Sequence, residues 1–124
     1  MKDNRPINLD LFTLKYPLPA ITSLLHRISG FFIFFGMALL LYLLELSLQS
    51  EAGFGLVLEL LNNVIVKCLT WAVLAGLLYH LIAGIRHLLM DLGIGESLQG
   101  GMLSARLTIV FSAMAMIVAG VWIW

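Results

Sequence analysis

The sequence predicts an all-α membrane protein with three transmembrane helices, and three observations carry that reading. Hydrophobic residues make up 61% of the 124 and charged residues only 11%, too little polar surface to cover a soluble core. Mean hydropathy is +1.03, which makes lipid the main solvent. The apolar residues gather in three long stretches, 29–48, 64–90 and 107–124, each near or above the ~20 residues a helix needs to cross a bilayer. Strands with open edges would leave backbone groups unpaired in lipid, so the stretches are assigned as helices.

The chain reads as one domain, 1–124, with an N-terminal segment 1–18 and spans at 19–48, 64–90 and 105–124. The first helix is expected to start ahead of its apolar core, because Pro19 suits a first helical turn. At about 45 Å it exceeds a ~30 Å hydrocarbon core, so Ser23, His26 and Arg27 fall at an interface. Asn62 or Asn63 is expected to cap the second helix and Gly93 to end it. Ser104 is the expected cap of the third. Its small residues Ser112, Ala115, Ala119 and Gly120 read as a packing face, and Phe31, Phe32, Phe34 and Phe35 read as lipid-facing or core.

Orientation follows from the basic residues. Lys2, Arg5, Lys15 and Arg27 precede or open the first span, and Arg86 and Arg106 flank the second loop, against Lys67 alone near the first loop. Six against one puts the N-terminus in the cytoplasm and the C-terminus outside, with Trp122 and Trp124 at the outer interface. The zero net charge argues against nucleic acid as a partner. Cys68, the single cysteine, reads as a small hydrophobe. No cleaved signal peptide is expected, and no phosphate loop, nucleophile–base pair or cysteine cluster is found. The chain therefore needs a partner to oxidise a substrate.

His80 is the candidate that chemistry singles out, because an ionisable residue inside a span is costly and marks a functional site. Four-residue spacing gives Ala72, Gly76, His80 and Gly84, a ridge of small residues on which a macrocycle edge has room. Two readings stand: a histidine bonded to a neighbouring helix, or an axial haem ligand. His26 and His87 lie near the interface, about 10 Å from His80 in the case of His87, so a second axial ligand is expected from another subunit. Ser23 and Arg27 share a face at i and i+4. They read either as a snorkelling arginine beside a small polar residue, or as a quinone-headgroup pocket. In the second case the serine donates to a carbonyl and the guanidinium stabilises developing negative charge. His26 and Arg86 face haem propionates or lipid phosphates. Asp91 is expected to neutralise Arg86 or His87, and Tyr79 is assigned no role.

Two motifs then carry a resemblance. Arg5-Pro6-Ile7 followed by Ser23-Leu24-Leu25-His26-Arg27-Ile28-Ser29-Gly30 resembles the N-terminal signature of the succinate dehydrogenase cytochrome b556 subunit family. The run from His80 through Gly84, Arg86, His87 and Asp91 to Gly93 resembles that family's second signature. The resemblance covers the whole chain and implies the membrane anchor of a bacterial respiratory complex II, in the inner membrane. It implies a helical bundle completed by a second small anchor subunit, with one haem b shared between the two. It further implies an iron–sulfur subunit and a flavoprotein that oxidises succinate, with ubiquinone as electron acceptor. His80 matches the haem ligand, Ser23 and Arg27 the quinone-site residues, and His26 a residue near the propionates. A quinol-oxidising fumarate reductase anchor and a haem-free structural anchor remain the alternatives.

Overall fold

The computed structural model describes residues 14–124; Lys2, the Arg5-Pro6-Ile7 motif and the rest of 1–13 lie outside them. Four helices are found among the described residues: α1 (Leu18–Gln49), α2 (Glu51–Asn62), α3 (Val64–Asp91) and α4 (Leu98–Ile123). Three of them, α1, α3 and α4, are long and apolar enough to cross a membrane.

Pro17 is extended and Pro19 sits in the first turn of α1, as the ring geometry of proline favours. α1 ends at Ser50, whose extended backbone breaks the helix and whose Oγ accepts the Gly53 N–H at 3.0 Å to open the next one. The expected spans 19–48 and 64–90 leave 51–62 between them without an assigned helix. There the structure forms α2, a 12-residue helix too short to span, with Gly53 and Val57 buried and the helix laid against α1. Packing on α1 supplies what so short a segment lacks alone, since isolated helices of this length are marginal in water.

Asn63 caps α3 as anticipated, its Oδ1 accepting from the amides of Ile65 and Val66. Gly93 follows the end of α3 at φ +79, in the left-handed region that glycine enters without steric cost. α4 starts seven residues before the expected boundary, at Leu98 after Ser97, whose Oγ accepts from Gly100 N. Ser104 lies inside this helix and is not its cap. The pair Gly100-Gly101 reads as loop by propensity, but Gly101 is buried and its carbonyl is held from α3 by the Arg86 guanidinium.

α3 is the central element, packed on α1, α2 and α4. Its contacts run through small residues: Ala75, Ala83, Ala105 and Ala119 are all buried, as suits helices that associate in lipid by close approach. Two side chains tie α3 to its neighbours. Trp71 Nε1 donates to the Met116 carbonyl of α4 at 3.0 Å, and the Tyr79 hydroxyl donates to the Thr22 carbonyl of α1 at 2.8 Å. On α4, Ser112 and Ala119 are buried and Gly120 lies under the Trp71 ring, so the expected packing face is used. Phe31 and Phe34 on α1 are 72% and 75% exposed, on a face turned to lipid or to another chain.

Candidate functional site

α1 and α3 each carry a histidine followed four residues later by glycine: His26 and Gly30 on one, His80 and Gly84 on the other. One helical turn separates each pair, and the helices meet so that each histidine covers the other helix's glycine. A Cβ at Gly30 would stand 3.0 Å from His80 Cε1, and one at Gly84 would stand 3.4 Å from His26 Nε2. Glycine at both positions lets the two imidazoles enter the helix contact. Their rings stack, centroids 4.0 Å apart and planes 13° from parallel. His87 joins the outer side of the pair, its ring 4.9 Å from that of His26 and tilted by 53°.

The hydrogen bonds decide the tautomer of His80. Nδ1 lies 3.1 Å from the His26 carbonyl and 3.0 Å from Ser29 Oγ, while the Ser29 hydroxyl donates to the same carbonyl at 2.7 Å. A carbonyl only accepts, and the serine's one proton is spent on it, so Nδ1 carries the ring proton and donates. Nε2 is then the nitrogen with a free lone pair, and it has no hydrogen bond among the described residues. Nε2 of His26 also lacks a partner among the described residues, and it is buried.

Around this pair the structure sorts the remaining candidates. Ser23 is half-buried and Arg27 exposed, one turn apart and flanking His26 on α1. Arg86 is brought elsewhere. It is only 6% exposed, its Nε donates to Ser104 Oγ at 3.0 Å and its Nη2 to the Gly101 carbonyl at 3.4 Å. Six residues of helix turn it about 120° away from His80, toward α4 and not toward α1. Asp91, expected to neutralise Arg86 or His87, is exposed, and Arg86 is left to these neutral partners; a spacing of five residues does not place Asp91 and Arg86 on one helix face.

The ridge of Ala72, Gly76, His80 and Gly84, expected to leave room for a macrocycle edge, is covered by α1 at both glycines. It is not open surface for a macrocycle, because Phe32 and Ile33 of α1 cover Gly76 and His26 covers Gly84. Small residues drew α1 in close. Sequence reasoning missed Ser29, the His26 carbonyl, and Tyr79, whose bond to Thr22 pins the turn next to His80. The matching histidine–glycine spacing on the two helices was the available signal for the pairing.

The profile of the succinate dehydrogenase/fumarate reductase transmembrane subunit family matches residues 1–119. The chain belongs to that family. Among similar proteins, the succinate dehydrogenase cytochrome b556 subunit of Coxiella burnetii is 47% identical over 125 residues, covering 100% of both chains. The subunit of the same name from Paracoccus denitrificans is 34% identical over 79% of this chain and 75% of its own. The mitochondrial cytochrome b560 subunit of Mus musculus is 32% identical over 90% of this chain and 68% of its own. Membership in this transmembrane subunit family, with three apolar helices of spanning length, makes the chain a multi-pass membrane protein.

Proposed function

We propose that the chain is the haem-b-bearing membrane anchor of a succinate:ubiquinone oxidoreductase in a bacterial inner membrane. Its N-terminus lies in the cytoplasm and its C-terminus on the periplasmic side, as the six-to-one distribution of Lys and Arg supports. It works with a second small anchor subunit, an iron–sulfur subunit and a flavoprotein, and is not an enzyme alone. The relatives at 47% and 34% identity carry the cytochrome b556 name, which supports haem b as the cofactor.

The observation that carries the reading is the state of His80. A haem-ligating histidine is a neutral imidazole whose other nitrogen donates to a carbonyl or similar acceptor. Nδ1 here meets a carbonyl and a hydroxyl oxygen, so the donor set fits an axial ligand. The stacked His26 ring covers a face of the imidazole, and Nε2, which has no hydrogen bond among the described residues, is the nitrogen that would hold the haem iron. His26 is kept near the propionates on the resemblance, although its Nε2 is closed off against Gly84 of α3. Arg86 is spent on α4 and is kept only as a more distant cation. The second haem ligand would come from the other anchor, since the His26 ring is stacked on His80 and the His87 ring lies against His26.

Haem b, when bound, supplies a one-electron couple. The chain's own residues then serve the quinone: Ser23 donates a hydrogen bond to a quinone oxygen, and Arg27 stabilises negative charge as it develops. Both lie one to three residues from His26 at the cytoplasmic end of α1, where protons are available from water. The family description also covers fumarate reductase, the same architecture run in reverse; the named succinate dehydrogenase relatives favour the succinate direction. A reduced-minus-oxidised spectrum of the purified complex tests the reading. The intact complex should show a low-spin haem b band, and His80→Ala should lose it. A low-spin spectrum that survives His80→Ala would refute ligation.

A further inference from the structure

We propose that Ser29 is a positioning residue for His80, setting both the protonated nitrogen and the rotation of the imidazole. The inference rests on the haem reading above and goes beyond it.

A hydroxyl bonded to the carbonyl three residues back is ordinary helix behaviour. Thr22 bonds Pro19 O and Ser47 bonds Leu44 O in that way, and these hydroxyls do nothing further among the described residues. Ser29 makes the same bond to His26 O at 2.7 Å and adds a contact 51 residues away in sequence, to His80 Nδ1 at 3.0 Å. It is buried, so water does not substitute for it. The His26 carbonyl is also crowded. It lies within α1, where it serves the helix ladder, and it already receives the Ser29 hydroxyl. A third donor finds its lone pairs engaged, and the Ser29 oxygen is the nearer acceptor for the Nδ1 proton.

Hydrogen bonding at Nδ1 increases electron donation from Nε2 and fixes the ring's orientation. Removing Ser29 Oγ frees a lone pair on the carbonyl but takes away one of the two acceptors of Nδ1–H, leaving it with the His26 carbonyl alone. The imidazole then donates less to iron, which moves the midpoint potential in the positive direction, and the ring rotates more freely about its link to α3.

The test is a redox titration and a low-temperature EPR spectrum of haem in the purified complex carrying Ser29→Ala or Ser29→Thr. The expected result is a positive shift in midpoint potential and altered low-spin g-values for Ser29→Ala, with both returned to the native values by Ser29→Thr. Native potential and g-values in Ser29→Ala overturn the proposal, as does Ser29→Thr behaving like Ser29→Ala. If Ser29→Ala holds no haem, retention with native values in Ser29→Thr supports the role of the hydroxyl, and loss from both variants overturns it. His80→Ala separates this proposal from its parent. Low-spin haem surviving that change defeats ligation itself, whereas haem lost there with an unaltered Ser29→Ala defeats only the positioning role.

Discussion

At the scale of residues, the imidazole of His80 is held by the main chain and a hydroxyl of the facing helix. Among the described residues no acidic side chain takes part, and the arrangement depends on glycine. A Cβ at Gly30 would stand 3.0 Å from His80 Cε1, closer than carbon atoms settle without moving. Gly30→Ala should therefore push the His80 ring off its bonds to Ser29 and His26, lowering haem content or changing its spectrum. Gly84→Ala, where the corresponding approach is 3.4 Å, should leave both near native. Optical spectra of the two purified variants check this, and equal effects would count against the ring's dependence on Gly30. His80 itself was legible in the sequence, because an imidazole deep in an apolar run stands out against its surroundings. Ser29 was not: a serine in a helix is common, and only a neighbour 51 residues away gives it a task.

At the scale of elements, the long spans were readable because lipid imposes length and apolarity on them directly. α2 and the first turn of α4 were not, since both are held by contacts. The Ser50 cap and burial of Val57 hold α2; the Arg86 guanidinium holds the start of α4 through Ser104 and Gly101. Hydrogen bonds from a charged donor contribute about 1.5–3 kcal/mol each. Arg86→Gln is too short to make both, and should lower stability by about that amount, read as an earlier unfolding midpoint of the complex in mild detergent. Because Arg86 faces α4 and His80 faces α1, haem in the folded fraction should keep its native spectrum. An unchanged midpoint would show that the guanidinium does not secure α4.

At the scale of the whole molecule, the described residues leave many large apolar side chains uncovered, with Phe31, Phe34, Trp122 and Leu98 all more than two-thirds exposed. Lipid and the partner subunits of the proposed complex account for that surface. The exposed Arg27 beside half-buried Ser23 fits the proposed quinone pocket, which other chains would complete. Arg27→Ala should depress succinate:quinone turnover at least tenfold, about the 1.4 kcal/mol that one lost charge-assisted bond in the transition state represents. Oxidation of succinate by a soluble dye should be largely retained. Equal loss of both activities would remove Arg27 from the quinone site. By itself the sequence determined the class of solvent, the three spans and the histidine worth explaining, because hydropathy and the cost of a buried ionisable group are properties of a linear string. Only the tertiary structure decided that the small-residue ridge is filled by α1, that Arg86 turns to α4, and that His80 presents Nε2. Those outcomes depend on which helix faces meet, and a facing carbonyl or hydroxyl leaves no trace in local sequence.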